Sequence, residues 1–121
     1  MCLTYFLKKC IKYFGDIMKI NEGSLTDNNI VLDTLEVFLD NTTFYILSGY
    51  GAFAMCGALN VDVYNTPKMV SRGVLAIRAV GVHSLLELYD ATIVEVTDAL
   101  KEKGIKPGIC VKDAFKILSC E

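Results

Sequence analysis

An uncharged segment in the middle of the chain most constrains what this sequence can fold into. It begins at Phe44, meets its first charged residue at Asp62, and reads FYILSGYGAFAMCGALNVD. Residues 41–61 would be long enough to cross a bilayer, but Asn, Thr, Ser and Gly recur throughout them. A buried hairpin accounts for the same apolarity, because strands buried on both faces lose their polar alternation. The segment therefore predicts strand, glycine turn and strand rather than a membrane span.

Length and charge limit the classes of protein that fit. A chain of 121 residues with 53% hydrophobic residues predicts one domain with a substantial core. The formal net charge of −2, from 12 basic and 14 acidic residues, does not indicate the basic surface that binds nucleic acid. Mean hydropathy is positive, so the apolar surplus favours either a tightly packed α/β body or a homo-oligomer.

The cysteines predict reduced thiols rather than a disulfide framework. Their number is odd, no two form a C-x-x-C pair, and they are Cys2, Cys10, Cys56, Cys110 and Cys120. Such a pattern is typical of cytoplasmic proteins. With His83 as the one histidine, the sequence predicts no metal and no cofactor.

The N-terminal segment shows helical spacing. Over residues 1–18 apolar residues recur every three or four positions, and Lys8, Lys9 and Lys12 fall between them. We predict an amphipathic helix, packed on the body or a partner or lying on a membrane surface. If the natural start of the protein is Met18, this segment is instead an extension outside the domain. The polar residues from Asn21 to Asn29 predict a linker.

The next part of the chain predicts an antiparallel meander. Alternation favours strands over Ile30–Leu39, Phe44–Leu47 and Ala52–Met55. Turn residues separate them at Asp40–Asn41 and Gly49–Gly51.

Helical signals dominate after Cys56. A helix could begin there, and three later segments carry helix signals: a short helix from Thr66-Pro67, a longer one from Asp90 through Lys103, and a last one from about Val111. Ser84 and Glu87 form a capping box, and Val74–Val80 predicts one further strand. Strands followed by helices favour an α+β two-layer sandwich over residues 28–119, with a largely antiparallel sheet of short strands covered by helices.

Four motifs in order resemble one family. They are Met55-Cys56-Gly57-Ala58-Leu59, Arg72-Gly73, Arg78-Ala79-Val80-Gly81-Val82 and Gly104-Ile105-Lys106-Pro107-Gly108. Over residues 35–118 the chain is similar to the YunC-like family, a domain of unknown function. The resemblance implies a small two-layer α/β sandwich and no particular reaction. Asn60 stands where an acidic residue often follows the cysteine motif in that family.

The candidate site centres on Cys56. A cysteine at the start of a helix faces the positive end of the helix dipole, which favours its thiolate form. Gly57 would let a ligand approach the backbone, and the amides of Ala58 and Asn60 could hold an anion. Arg78, on an apolar strand, could grip a carboxylate or phosphate.

Each of these residues also has a structural interpretation. Cys56 could be a small core residue, and Arg78 could pair with Glu36, Asp62 or Glu95. We predict a cytoplasmic module that binds a small anionic metabolite or a protein partner near Cys56 and Arg78. Two alternatives remain open: an enzyme with Cys56 as a thiolate nucleophile, and a structural homo-oligomer. The tail after Ile105 is superficially similar to a DNA-binding hairpin, but Cys110 occupies a glycine position, so we predict no nucleic acid partner.

Overall fold

The chain forms one mixed sheet whose strands lie side by side in chain order. The computed structural model describes the backbone of residues 5–14 and 18–120, and the side chains of Leu7 and residues 19–120. In these residues seven strands form the sheet: β1 (Tyr5–Phe14), β2 (Met18–Asp27), β3 (Ile30–Leu39), β4 (Thr42–Gly49), β5 (Ala52–Met55), β6 (Leu75–Arg78) and β7 (Glu95–Val96). Every neighbouring pair is antiparallel except β5 and β6, which are parallel.

Short turns set the register of β2, β3, β4 and β5. At the tip between β4 and β5, Tyr50 and Gly51 have φ values of +54° and +79°. Two positive φ values match the right-handed twist of a tight hairpin, and glycine adopts them without steric cost. Asn41, with φ of +66°, ends the turn between β3 and β4. The predicted turns and the β3 and β5 boundaries are confirmed.

The crossover from β5 to β6 passes over one face of the sheet. It contains a short 3-10 helix (Val61–Asn65) and α1 (Pro67–Ser71). Val61 and Leu59 pack on Ala76 of β6, with Phe53 and Met55 of β5 beside them. This small apolar cluster packs the crossover against the sheet.

The opposite face carries the main core. Helices α2 (Leu85–Asp90), α3 (Asp98–Glu102) and α4 (Val111–Ser119) pack there. Their fully buried side chains, among them Tyr89 and Phe115, meet Leu25, Leu32 and Leu47 from the sheet. The α+β two-layer prediction is thereby confirmed, as is the buried set of α4: Val111, Ala114, Phe115 and Leu118.

The predicted N-terminal helix is wrong over the described part of that segment. Residues Tyr5–Phe14 form β1, which pairs with β2 along its whole length, from Tyr5 opposite Asp27 to Phe14 opposite Met18. The predicted linker is also wrong, because β2 runs through it. Asn21, Leu25 and Asp27 are all buried on one face of β2. The polar side chains of Asn21 and Asp27 concealed this alternation in the sequence. Ladder hydrogen bonds between adjacent strands outweigh a weak helical spacing. The extension alternative for residues 1–18 stays a prediction.

The predicted long helix from Asp90 to Lys103 is also wrong, although its buried residues were identified correctly. Asp90 ends α2, and the chain then extends so that Val94 donates a backbone hydrogen bond to Arg78 and Thr97 donates one to Ala76. Ile93, Val96 and Leu100 are all buried. Pairing with β6 therefore buries the same side chains in an extended conformation, which suits β-branched residues.

Within the described residues, no helix is long and apolar enough to span a membrane.

Candidate functional site

Cys56 lies directly after β5, and no helix begins at it. Residues 56–60 form a turn closed by a 3.1 Å hydrogen bond from the Leu59 amide to the Cys56 carbonyl oxygen. The 3-10 helix begins only at Val61. Cys56 is 8% exposed. The helix expected at Cys56 is thus wrong, because the chain must first turn before it can cross the sheet.

Asn60 has a structural partner in this turn. Its side-chain oxygen accepts a 3.2 Å hydrogen bond from the Asp62 amide and so caps the 3-10 helix. A short polar side chain at an N-cap satisfies an amide that the helix leaves unpaired. Of the amides beyond Gly57, those of Leu59 and Asp62 are therefore engaged within the protein.

Arg78 binds the turn rather than pointing away from it. Its Nε and Nη2 atoms each donate to the Gly57 carbonyl oxygen at 3.3 Å, and its Nη1 donates to Glu95 Oε1 at 2.8 Å. The Glu95 pairing was one of three partners considered from sequence. The planar guanidinium joins the turn after β5 to β7 across β6. Cys56, Gly57 and Arg78 are consequently brought together as predicted.

Gly57 lies beside the end of β6. A β-carbon added there would lie 3.4 Å from Val80 Cγ1 and 3.8 Å from Arg78 Nη2, which are ordinary van der Waals distances. Val80 and Arg78 are therefore the side chains nearest to Gly57. Val80 also lines an open cleft, so the turn lies next to a wall of that cleft.

An open cleft of about 520 Å³ lies between the end of β6 and α2. Its walls are apolar at Val80, Val82, Leu86 and Val94, and its two charged residues are Glu87 and Asp90. Val80 is 47% exposed and Val94 is 37% exposed. An apolar surface with a few convergent polar groups is the usual composition of a binding site. All its lining residues fall within Val80–Val94, and sequence reasoning missed the cleft because the part after Asp90 was expected to be helical rather than extended.

The charged groups at the cleft already make internal contacts. Glu87 accepts a 3.2 Å hydrogen bond from the His83 amide, while Ser84 accepts one from the Glu87 amide at 3.0 Å. The serine half of the predicted capping box at α2 is therefore present, whereas Glu87 accepts from the amide one residue before the N-cap rather than from that of Ser84. Asp90 pairs with Lys112 at 3.2 Å. Because Lys112 offsets the charge of Asp90, the net negative charge at the rim comes from Glu87.

A second, smaller cleft of about 160 Å³ lies on the far side of β7. Asp62, Asn65, Glu95 and Lys101 contribute its polar wall. Among the described residues no cluster of three or more His, Cys, Asp or Glu side chains could hold a metal ion.

These features define a small α+β domain with an apolar cleft beside the turn that begins at the buried Cys56. Residues 55–118 match the family described as "Domain of unknown function (DUF1805)", and the chain belongs to that family. The predicted YunC-like membership is thereby confirmed. The chain is 40% identical over 79 residues to the uncharacterised protein YunC of Bacillus subtilis, covering 65% of this chain and 77% of YunC.

A solved structure has the same fold. The crystal structure of TA1206, a protein of unknown function from Thermoplasma acidophilum, superposes with a TM-score of 0.73 at 26% identity. The match covers 88% of this chain and 99% of TA1206. It therefore includes most of the sheet that precedes the family-matched residues.

Proposed function

We propose that this domain is a cytoplasmic binding module that holds a segment of a partner protein in the cleft beside Cys56 and Arg78. The observation that carries the proposal is the open apolar wall of that cleft. Val80 and Val94 remain 47% and 37% exposed although they adjoin a well-packed core. Exposed apolar side chains gathered in one concavity are typical of interaction sites.

The charges of the cleft favour a basic segment. Lys112 offsets the charge of Asp90, so Glu87 supplies the net negative charge of the cleft, and an apolar side chain followed by a lysine or arginine would complement it. Arg78 holds the turn through the Gly57 carbonyl oxygen, and this turn lies next to Val80. In this proposal the bound segment does not rest on Gly57, Ala58, Asn60 or Arg78. These residues form or hold the turn that borders the cleft.

A small anionic ligand near Arg78 remains the alternative within the binding class. It has less support, because the guanidinium already donates to Gly57 and Glu95 through three nitrogens. An anion would have to displace Glu95 or share the remaining N–H groups. The acidic rim of the adjacent cleft opposes its approach.

The cysteine enzyme also has less support. Cys56 is 8% exposed, and the helix that would have favoured its thiolate does not begin there. A thiolate nucleophile needs access to substrate as well as activation. Catalysis by Cys56 would therefore require the turn at residues 56–60 to open.

Two capped dipeptides test the binding proposal directly. Acetyl-Leu-Lys-amide should shift the backbone NMR signals of residues around Val80 and Val94, with a dissociation constant on the order of 1–10 mM. Acetyl-Leu-Glu-amide should bind several-fold more weakly, because the rim is acidic. Equal or stronger binding of the acidic peptide, or no shift at the cleft with either, would contradict the proposal.

Three variants sharpen this test. Val80→Ser removes the apolar wall and should weaken acetyl-Leu-Lys-amide about fivefold or more. Val70→Ser, at a valine 55% exposed on α1, is the matched control and should leave binding unchanged. Glu87→Gln keeps an acceptor for the His83 amide but removes the charge, so it should reduce the preference for the basic peptide.

We also retain the predicted homo-oligomer as a proposal, because exposed apolar side chains such as Val31 and Val63 lie outside this cleft.

A further inference from the structure

The pairing of β6 with the chain that leads into β7 stops at the mouth of the larger cleft. The Val94 amide donates a 2.9 Å hydrogen bond to the Arg78 carbonyl oxygen. In a regular antiparallel ladder, the next bond beyond it would join the Val80 amide to the Thr92 carbonyl oxygen. In the described part of the chain neither of these two groups makes a hydrogen bond. Both residues line the cleft, so the ladder ends where the cleft begins.

Gly81 turns the chain out of the direction of β6. Its φ is +73°, a left-handed conformation that glycine adopts without steric cost. A β-carbon added there would have no atom within 4 Å, so the backbone at Gly81 borders open space. No hydrogen bond joins the backbone of Val80, Gly81 or Val82 to any other described residue. This wall of the cleft therefore carries unpaired backbone donors and acceptors.

The opposite wall presents the backbone of Thr92. The Ala91 carbonyl oxygen accepts a 2.9 Å hydrogen bond from the Val111 amide. The Ile93 amide donates one of 2.8 Å to the Ile109 carbonyl oxygen. Successive residues of an extended chain direct their backbone groups to opposite sides, so those of Thr92 point away from this partner segment and towards β6. Neither the amide nor the carbonyl oxygen of Thr92 has a partner among residues 18–120.

The two walls together form a fork in the sheet. Val80, Gly81 and Thr92 are all exposed, so water reaches their backbone groups. A row of unpaired N–H and C=O groups is a template for pairing with another extended chain. The volume of about 520 Å³ lies within the usual range for a ligand site and suits a short segment.

We propose that the partner segment enters this fork as an extended strand and pairs its own backbone with Thr92 and Val80. This inference rests on the proposed function of the cleft and adds the mode of recognition. Main-chain hydrogen bonds supply affinity that many sequences share, whereas the side chains supply selectivity. The apolar residue of the segment contacts the valines of the cleft, and its basic residue complements Glu87.

Ester analogues of acetyl-Leu-Lys-amide test the pairing from the side of the ligand. One analogue replaces the leucine N–H by an ester oxygen, and the other replaces the lysine N–H. Each keeps both side chains and the positive charge. At least one analogue should bind about fivefold or more weakly than the parent peptide, because a carbonyl oxygen of the cleft loses its donor.

A proline substitution tests the pairing from the side of the protein. Thr92→Pro removes the N–H that points towards the fork, and Ala91, with φ of −69° and ψ of 155°, already has a conformation that suits the residue before proline. This variant should bind acetyl-Leu-Lys-amide about fivefold or more weakly than the wild type. Thr92→Ala keeps the N–H and is the matched control, with binding within about twofold of the wild type.

Amide proton shifts of the wild type guard against misfolding of the proline variant. On titration with acetyl-Leu-Lys-amide, the Thr92 and Val80 amide protons should move downfield as they gain acceptors.

The outcomes separate this inference from the binding proposal. Binding of both esters within about twofold of the parent peptide would overturn the strand pairing, while recognition of the side chains would stand. A folded Thr92→Pro variant that binds as tightly as Thr92→Ala would also overturn it, as would Thr92 and Val80 amide protons that do not move downfield. If acetyl-Leu-Lys-amide gives no shift at the cleft, the binding proposal and this inference both fail.

Discussion

The hydroxyl of Tyr89 on α2 donates a 2.8 Å hydrogen bond to the carboxylate of Asp27 on β2. Both side chains are buried, with exposures of 0% and 3%. Asp27 also receives a 3.4 Å hydrogen bond from the Asn28 side chain. A carboxylate this deep needs donors to offset its lost hydration. The pair therefore fixes the helical layer to the sheet between residues far apart in the sequence.

Tyr89→Phe should lower the free energy of unfolding by about 2 kcal/mol, because it leaves a buried carboxylate with one donor fewer. Urea unfolding followed by circular dichroism would measure the loss. Tyr64→Phe is the matched control. Tyr64 is half-buried against Phe53, with ring centroids 5.6 Å apart, and no hydrogen bond to its hydroxyl is seen among the described residues. It should change stability by less than about 0.5 kcal/mol.

A double-mutant cycle with Asp27→Asn would isolate the pair. If the hydroxyl acts through Asp27, the loss caused by Tyr89→Phe should shrink by about 1 kcal/mol in the Asp27→Asn background. Equal losses in both backgrounds would show that Tyr89 stabilises the fold by packing alone.

The three cysteines with described side chains should differ in their rates of alkylation. Cys120 is exposed, Cys110 is intermediate and Cys56 is buried. Iodoacetamide applied to native protein, with mass spectrometry of the peptides, should modify Cys120 first and Cys56 last. The rate at Cys56 should rise in parallel with local opening as urea is added. Faster modification of Cys56 than of Cys120 in the native state would instead restore the enzyme hypothesis.

The sequence predicted elements well where local and tertiary signals agree. The strand Ile30–Leu39 alternates clearly and is buried on alternate residues, and α4 carries an amphipathic stripe that packs on the core. Both signals come from side-chain periodicity, which burial then reinforces. The turn at Tyr50–Gly51 was predictable for a similar reason, since glycine marks its left-handed conformation.

Errors arose where pairing with a distant strand decided the conformation. Residues Tyr5–Phe14 have helical spacing, yet β2 lies alongside them and satisfies their backbone as a strand. The spacing of the buried residues after Asp90 predicts a helix, although it suits the period of a strand as well. Its hydrogen bonds to Arg78 and Ala76 come from a strand earlier in the chain, which single-sequence patterns do not reveal. The candidate site was found in part: Cys56, Gly57 and Arg78 meet, but the cleft beside them depends on tertiary structure.

Gly49→Ala should destabilise the fold by about 1–2 kcal/mol through overpacking. A β-carbon at Gly49 would lie 2.8 Å from Leu32 Cδ2 and 3.4 Å from the Val31 carbonyl oxygen. Leu32 is fully buried in the core, so it has little room to move away. Thermal unfolding would measure the effect. Gly57→Ala is the control, because its nearest neighbour would be at 3.4 Å, and a loss as large as that of Gly49→Ala would contradict this steric account.

Two buried threonines should respond in opposite ways to replacement by valine. The Thr34 hydroxyl is buried with no hydrogen-bond partner among the described residues, whereas the Thr97 hydroxyl accepts a 3.3 Å hydrogen bond from the Ala76 amide. Thr34→Val removes an unsatisfied polar atom, so stability should stay equal or rise by up to about 1 kcal/mol. Thr97→Val leaves a buried amide unpaired and should cost about 1–3 kcal/mol.

Urea unfolding of both variants beside the wild type would decide this. The shapes of threonine and valine are nearly equal, so packing changes little and the hydroxyl accounts for the difference. A loss at Thr34→Val as large as that at Thr97→Val would show that the Thr34 hydroxyl does have a partner. The first partner to look for would be an ordered water shared with the side-chain oxygen of Asn21, which is also buried and has no hydrogen bond from any described residue.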